Sequence, residues 1–201
     1  MNHGILPGSI NLEEILWILI YSSIISNLGL TTLIVRLSRV FTKAERLRSL
    51  DSFNTFNPKT SLTVIIPTYN EEKNIQKCLS SLIASKTPST FWQVILVDDN
   101  SSDKTVEIGL RQSKTSNVNF ECISAGDRPT NERWVGKNWP CCNAVETTNS
   151  EWLLFIDADV RIKEDTIIRS LSYAIDNKLD LLSLAPRLIC NCLAEWMVQP
   201  I

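Results

Sequence analysis

Hydrophobic and polar positions divide the chain into an apolar N-terminal run and a longer region in which strand-like and helix-like patterns alternate. The N-terminal run, Ile15 to Val35, contains no charged residue over 21 positions. As a helix it is about 32 Å long, close to the roughly 30 Å hydrocarbon core of a bilayer. The pattern therefore predicts one N-terminal transmembrane helix.

Two other interpretations of this run stay open. Its polar residues favour a buried or interfacial helix: Ser22, Ser23, Ser26, Asn27, Thr31 and Thr32. A cleaved signal peptide is disfavoured, because Glu13 and Glu14 stand where a basic segment is expected. The residues after the run carry an excess of positive charge, which places the rest of the chain in the cytoplasm by the positive-inside rule: Arg36, Arg39, Lys43, Arg46 and Arg48, opposed by Glu45.

Composition changes along the chain suggest three parts. Residues 1–50 form the membrane anchor with its basic flank. Residues 51–60, "DSFNTFNPKT", are rich in turn-forming residues and are typical of a linker. Residues 61–201 make up the main domain.

The main domain alternates strands with helices. Apolar, β-branched runs predict strands over 62–67, 92–99, 119–125, 151–159 and 179–186. Helices are predicted over 71–85, 101–114 and 163–177, and in a stretch with Pro140 near its first turn. Ser101 or Ser102 is the expected N-cap of the second helix. Apolar strands that alternate with helices predict an α/β fold, with a mostly parallel sheet covered by helices on both faces.

Amphipathic spacing supports the first helix of this domain. Its apolar residues recur at the positions that share one helical face: Ile75, Cys78, Leu79, Leu82 and Ile83. We therefore expect this face to pack on the sheet.

Composition and charge exclude several functions. The chain is 44% hydrophobic and 21% charged, which is typical of a folded protein. Its formal net charge of -2 argues against a nucleic-acid partner, because phosphate recognition needs a basic face. The six cysteines form no CxxC pair and the one histidine is remote from them, so a structural zinc site is disfavoured and a reducing compartment is favoured.

Polar residues follow three of the predicted strands. They are Thr68, Asn70 and Glu71 after the first strand, Asp98 and Asp99 after the second, and Asp157 and Asp159 after the fourth. Ligands of parallel sheets bind outside the carboxyl ends of the strands, so these residues are candidates for a site. For Asn70, Ser101 and Asp103, capping and turn formation are equally good explanations.

Asp157 and Asp159 are not explained by capping. In an extended backbone, residues i and i+2 point to the same side about 6.6 Å apart. Two neighbouring carboxylates repel each other unless a proton or a cation lies between them. A hard cation such as Mg²⁺ or Mn²⁺ is held through few carboxylates and keeps positions for substrate phosphates.

Three motifs in this order resemble family 2 glycosyltransferases with the GT-A fold: "VIIPTYNEEKNI", "LVDDNSSDKT" and "LLFIDADV". The resemblance runs from about Leu62 to the C-terminus. Two further segments, "ERWVGKNWPCCNAV" and "LDLLSLAPRLICNCLAEWMVQPI", are similar to membrane-bound glycosyltransferases associated with hopanoid and carotenoid biosynthesis.

The resemblance implies a donor site for a nucleoside diphosphate sugar. Thr68, Asn70 and Glu71, with Asp98 or Asp99, would line the pocket for base and ribose. A carboxylate there can accept the imide N–H of uracil, which favours a UDP-sugar.

The resemblance also implies roles for residues near the diphosphate. Asp157 and Asp159 would hold Mg²⁺ or Mn²⁺, and Lys137 would add a positive charge. Trp134 or Trp139 would stack on a sugar or on the acceptor. A solvated surface charge for the lysine, and core packing for the tryptophans, are equally open.

The acceptor side stays unassigned. The family inverts the anomeric centre and needs a downstream carboxylate as general base. Glu164 and Asp165 are the only later adjacent acids, and a helix start explains them better. The Q-x-x-R-W element of the family is missing, so we expect a chain without its acceptor half.

Two other functional classes share some of these features. A nucleotide-sugar-binding module without catalysis is the main alternative, whereas transfer to a lipid or another membrane-associated acceptor is the primary expectation. A phosphoacceptor receiver domain also gathers aspartates at strand ends. However, its acidic pair belongs on the first strand and its acceptor on the third, which the order here does not match.

Overall fold

The computed structural model describes residues 11–43 and 59–185 of the 201 residues. The chain divides into two compact units, Met1–Arg46 and Leu47–Ile201. Most of the predicted linker over residues 51–60 lies outside the described residues, as do residues 186–201.

The N-terminal unit contains one long helix. Helix α1 spans Leu12–Lys43, and its segment Leu12–Arg39 is long and apolar enough to cross a membrane. Its large apolar side chains from Leu12 to Leu37 are exposed. The Thr31 hydroxyl donates to the Asn27 carbonyl at 2.8 Å, so it is satisfied within the helix, as an apolar medium requires. The predicted helix is thus confirmed.

The second unit is built on a four-stranded sheet within its described residues. The strand order is β3-β2-β1-β4, and all three pairings are parallel. The elements in chain order are β1 Ser61–Thr68, α2 Ile75–Ile83, β2 Phe91–Asp98, α3 Thr105–Thr115, β3 Asn119–Ser124, α4 Asn138–Glu146, β4 Trp152–Phe155 and α5 Thr166–Asp176.

Both faces of the sheet are covered, as the apolar strand runs predict. Alternate residues of β1 lie in two separate cores. Leu62, Val64 and Ile66 pack with buried residues of α2 and α5, whereas Ile65 packs with Ala144 of α4. The α/β fold predicted from the sequence is therefore confirmed.

The predicted apolar face of α2 is confirmed at four of its five positions, because Ile75, Cys78, Leu79 and Leu82 are buried, whereas Ile83 is only partly buried. Pro140 is likewise buried in the first turn of α4. The proline is tolerated there because the first turn of a helix leaves its N–H groups without intrahelical partners.

Three boundaries differ from the predictions. Strand β4 ends at Phe155, four residues before Asp159, because the chain turns there. No strand forms over the described residues 179–185 of the predicted fifth strand. Helix α3 begins at Thr105 with Lys104 as N-cap, so neither Ser101 nor Ser102 caps it.

Candidate functional site

The carboxyl ends of β1, β2 and β3 lie level with one another, and β4 ends opposite Ile65 of β1. Thr68 of β1 is in register with Asp98 of β2, which is in register with Ser124 of β3. Thr68 and Asp98 are buried, and the Thr68 hydroxyl donates to Asp98 Oδ1 at 3.4 Å. Asp98 Oδ2 accepts the backbone N–H of Ser101 at 3.0 Å. Both oxygens of Asp98 are therefore used within the protein.

Asn70 joins the loop after β1 to the loop after β2. Its Oδ1 accepts the backbone N–H of Ser102 at 2.9 Å, and its own N–H donates to the Ser101 hydroxyl at 2.9 Å. Asn70 has a φ of 54°, a left-handed conformation that asparagine tolerates better than most residues. The serines that the sequence suggested as helix caps thus hold the first loop.

A second set of hydrogen bonds reinforces this junction. The buried Thr105 hydroxyl accepts the N–H of Glu71 at 2.7 Å and donates to Asp103 Oδ1 at 2.5 Å. Asp103 Oδ2 accepts the N–H of Glu72 at 3.1 Å. Desolvation acts to raise the pKa of Asp103, but the hydrogen bonds from Thr105 and Glu72 outweigh it and lower that pKa. We name residues 69–74 and 99–105 together the clasped loops.

Asp157 and Asp159 lie on a turn beyond β4. The N–H of Val160 donates to the Asp157 carbonyl at 3.0 Å, which closes the turn. Ala158 is buried, whereas Asp157 and Asp159 are exposed on either side of it. The extended geometry expected for this pair was wrong, because the strand ends before it; a turn presents the two carboxylates to solvent instead.

The thiol of Cys78 in α2 lies close to the turn that carries Asp157. It donates to the Asp157 carbonyl at 3.7 Å. Burial raises its pKa to about 11; Arg161 lowers it, while Asp159, Glu71 and Asp157 each raise it further. Helix α2, which follows β1, therefore contacts the turn after β4 through Cys78.

A basic segment meets two of the predicted site residues. Residues 125–137, which we name the basic connection, join β3 to α4. Its Arg128 forms an ion pair with Asp99, and its Lys137 forms one with Asp157. The Asp99 side chain is 13% exposed and the Asp157 side chain 54% exposed.

Arg128 was missed from the sequence. One signal was available, because a 13-residue connection between a strand and a helix is longer than most such loops, and long loops are often functional. The connection also carries Arg133 and Lys137.

The two tryptophans beside this connection contact each other. Trp134 and Trp139 meet edge to face, with ring centroids 5.3 Å apart. Trp139 packs against the core that contains Ile65 and donates its indole N–H to the Gly126 carbonyl at 3.3 Å. Core packing therefore explains Trp139. The indole nitrogen of Trp134 is buried and has no hydrogen-bond partner among the described residues.

The later acids lie at the start of α5. Asp165 is its N-cap residue and pairs with Arg169 at 3.4 Å, while the Glu164 carbonyl accepts the N–H of Lys86 at 2.8 Å. Both acids therefore precede the first turn of α5, which contains no acid, and the side chain of Asp165 does not cap the helix.

Asp157 and Asp159 fit a hard divalent cation as an open site. Carboxylate oxygens are the ligands that Mg²⁺ and Mn²⁺ prefer, and exposure lets the ion keep water. In residues 11–43 and 59–185, no group of three or more His, Cys, Asp or Glu is arranged to enclose a metal. The two aspartates would therefore share the ion with water and with a phosphate-bearing ligand.

The chain is similar in sequence to known proteins. The family model for glycosyl transferase family 2 matches residues 63–200. The 4,4'-diaponeurosporenoate glycosyltransferase of Staphylococcus haemolyticus is 32% identical to this chain over 143 residues, which are 70% of the chain and 36% of that protein. The poly(ribitol-phosphate) beta-glucosyltransferase of Bacillus spizizenii is 31% identical over 120 residues, which are 60% of the chain and 18% of that protein.

Solved structures share the architecture. The crystal structure of residues 1–349 of Staphylococcus aureus TarS in complex with UDP has a TM-score of 0.50 at 28% identity, over 59% of this chain and 33% of that one. The mannosyltransferase PcManGT of Pyrobaculum calidifontis has a TM-score of 0.56 at 22% identity, over 74% of this chain and 41% of that one. The chain thus spans about a third of the first curated relative and about a fifth of the second.

Proposed function

Because the chain belongs to glycosyl transferase family 2, we propose that it binds a nucleoside diphosphate sugar at the carboxyl edge of its sheet and takes part in transfer of the sugar. Residues 61–201 are the proposed donor-binding domain, and residues 1–50 are the proposed anchor. The motifs at the ends of β1, β2 and β4 support this assignment, because ligands of such sheets bind at that edge.

One observation carries the proposal. At the edge where β1, β2 and β4 end, Asp157 and Asp159 are exposed on one turn, and the cationic Lys137 lies against Asp157. A site for a diphosphate with a bound cation needs groups of both charges. Carboxylates bind the metal, and an ammonium group binds the phosphate oxygens.

We assign the nucleoside to the neighbouring strand end. Asp98 already uses both carboxylate oxygens internally, whereas Asp99 pairs with the half-exposed Arg128. Asp99 is therefore the better acceptor for the imide N–H of uracil, and UDP is the preferred nucleotide. Thr68, which bonds to Asp98, and Asn70 and Glu71 of the clasped loops shape this pocket.

The proposed chemistry is inverting transfer with a divalent metal. Mg²⁺ or Mn²⁺, when bound, would stabilise the negative charge that develops on the leaving diphosphate. Asp157 and Asp159 would hold it, and Lys137 would bind the phosphate oxygens. Positive charge would then be in place when the acceptor oxygen bonds to the anomeric carbon and the bond between the sugar and the diphosphate breaks. Neither Glu164 nor Asp165 is assigned as the base, because both belong to the start of α5.

A titration tests the proposal. The full chain in detergent micelles is titrated with UDP and with GDP, each in the presence of Mn²⁺, Mg²⁺ or EDTA, by isothermal calorimetry. We expect UDP to bind in the presence of either metal, and to bind more weakly in EDTA. Equal UDP affinity with and without metal would contradict the metal assignment, and equal affinity for GDP would contradict the uracil contact.

We also propose a membrane location and a lipid acceptor. The length and apolar composition of Leu12–Arg39 support a span, and the similarity to a glycosyltransferase named for a carotenoid acid supports an apolar acceptor. The basic residues after the span favour a cytoplasmic main domain. Membranes washed with alkaline carbonate should keep the chain; its release into the supernatant would contradict a span.

A further inference from the structure

Two carboxylates of the proposed donor site, Asp99 and Asp157, already have positive partners, and both partners belong to the basic connection. Arg128 holds Asp99, the proposed nucleoside contact, and Lys137 holds Asp157, a proposed metal ligand. These residues come from the ends of two different strands, β2 and β4, which flank β1 in the sheet. One segment therefore neutralises both ends of the proposed site.

A hydrogen bond also joins the first half of the basic connection to its last residues. Arg128 donates to the Gly136 carbonyl at 3.0 Å, so its guanidinium joins Asp99 to the residue before Lys137. Gly126 and Gly136 lie near its two ends with φ of 66° and 55°, a conformation that favours glycine. The two ion pairs are thus coupled through a single arginine.

We propose that Lys137 and Arg128 act as internal counter-ions of the empty donor site, and that a divalent cation and the diphosphate displace them together. On donor binding the cation takes the place of Lys137 at Asp157. Lys137 and Arg128 then turn to the phosphate oxygens, which carry more negative charge than one carboxylate. This inference rests on the proposed donor site.

Exposure and charge favour such an exchange. The side chains of Lys137 and Asp157 are 57% and 54% exposed, so water screens their attraction and the pair separates at little cost. A divalent ion binds carboxylate oxygen directly and carries twice the charge of an ammonium group. Guanidinium and ammonium groups form strong charge-assisted hydrogen bonds with phosphates, so the released side chains keep a partner.

The proposed exchange predicts that one substitution raises the affinity for Mn²⁺ and lowers the affinity for UDP. Lys137→Gln removes the competitor of the cation, so Mn²⁺ alone should bind about twofold to fivefold more tightly. The same variant loses a phosphate contact, so UDP in saturating Mn²⁺ should bind about tenfold more weakly. If Lys137 had a purely structural role, its substitution would not raise the affinity for Mn²⁺ while lowering the affinity for UDP.

The experiment compares the full chain with three variants in detergent micelles. Free Mn²⁺ is measured by electron paramagnetic resonance without nucleotide, and UDP affinity is measured by calorimetry in saturating Mn²⁺. Arg128→Gln should weaken UDP and leave Mn²⁺ alone unchanged, because Asp99 is not a proposed metal ligand. Arg161→Gln is the matched control: it removes a positive charge two residues from Asp159 that forms no ion pair with the aspartates among the described residues.

The outcomes separate this inference from the proposed function. Exchange is overturned if Lys137→Gln binds Mn²⁺ no more tightly than Arg161→Gln, or if none of the chains binds Mn²⁺ alone. It is also overturned if Lys137→Gln binds UDP as well as the parent chain does. A parent chain that binds Mn²⁺ but not UDP would defeat the proposed donor site, while the Mn²⁺ comparison would still decide whether Lys137 competes with the cation at Asp157.

Discussion

The carboxyl edge of the sheet has two halves that look alike in sequence and differ in the structure. The clasped loops after β1 and β2 use their polar groups on one another, through Asn70, Asp103 and Thr105. The turn after β4 presents Asp157 and Asp159 to solvent, where Lys137 is the partner of Asp157. Both halves carry several carboxylates, but among the described residues only those of the clasped loops accept hydrogen bonds from the backbone N–H groups of the neighbouring loop.

This difference distinguishes side chains that stabilise the fold from side chains that are candidates for ligand binding. A polar group with buried internal partners stabilises its loop, and losing one partner leaves the other unsatisfied. An exposed carboxylate with one flexible cationic partner contributes little to stability and can exchange that partner for a ligand. Substitutions in the clasped loops should therefore alter stability first, and substitutions in the turn should alter binding first.

The largest expected effect is on ligand binding at the turn. Asp157→Asn combined with Asp159→Asn should weaken Mn²⁺-dependent UDP binding at least about a hundredfold, because the substitutions remove both proposed carboxylate ligands. The free energy of unfolding should change by less than about 1 kcal/mol, since both side chains are exposed. Calorimetry and urea denaturation measure the two quantities.

The matched control for this variant is Asp180→Asn, a substitution of another exposed aspartate. It should leave UDP binding unchanged. If the double variant binds UDP with Mn²⁺ as well as the parent chain does, the turn is not the metal site, and the two halves of the edge differ only in exposure.

The next effect is on stability within the clasped loops. Thr105→Val keeps the shape of the buried side chain but removes its hydrogen bonds to Glu71 and Asp103. We expect the free energy of unfolding to fall by about 1 to 3 kcal/mol, because a backbone N–H and a carboxylate lose a partner. Urea denaturation followed by tryptophan fluorescence measures it.

Thr147→Val is the control, because Thr147 is exposed and its hydroxyl donates only to the Ala144 carbonyl of its own helix at 2.8 Å. Its effect should stay within about 0.5 kcal/mol. Equal losses for the two threonines would show that the clasped loops do not depend on Thr105.

Two substitutions of Asn70 distinguish the effect of its backbone conformation from the effect of its side-chain hydrogen bonds. Asn70→Gly keeps access to the positive φ but removes the Oδ1 contacts with Ser102, whereas Asn70→Ala removes both. The alanine variant should therefore be less stable than the glycine variant by about 1 kcal/mol. Thermal unfolding of both variants tests this difference, and identical stabilities would mean that the left-handed conformation is not a constraint there.

The smallest expected effect is a pH dependence from Asp103. Its pKa is lowered in the folded chain, so the stability it contributes is complete above its unfolded pKa of about 4 and is lost as the pH falls through the folded pKa. Asp103→Asn should thus be less stable than the parent chain at pH 7, and the gap should narrow at pH 3. Urea titrations at both pH values measure the gap, and a constant gap would contradict a titrating Asp103.

Local pattern predicted much of the fold. The apolar runs located β1, β2 and β3 to within one residue at each end, and the buried positions of α2 follow from their spacing. These features depend on neighbouring residues, because strand alternation and helical periodicity are properties of a continuous segment. The motifs at the strand ends likewise indicated the family before the sheet was known.

The sequence did not determine the turn after β4 or the partners of the strand-end acids. Asp157 leaves the strand because Val160 closes a turn, and Cys78 of α2, far away in the chain, donates to the Asp157 carbonyl. The pairs Arg128–Asp99 and Lys137–Asp157 each join residues at least 20 positions apart.

The sequence by itself therefore determined most of the elements, the family and most of the polar candidates, because each of these is carried by short, contiguous patterns. Only the tertiary structure decided which carboxylates are satisfied internally and which remain exposed to a ligand. Hydrogen bonds and ion pairs form between groups that the fold brings within about 3 Å, and separation along the chain does not specify that distance.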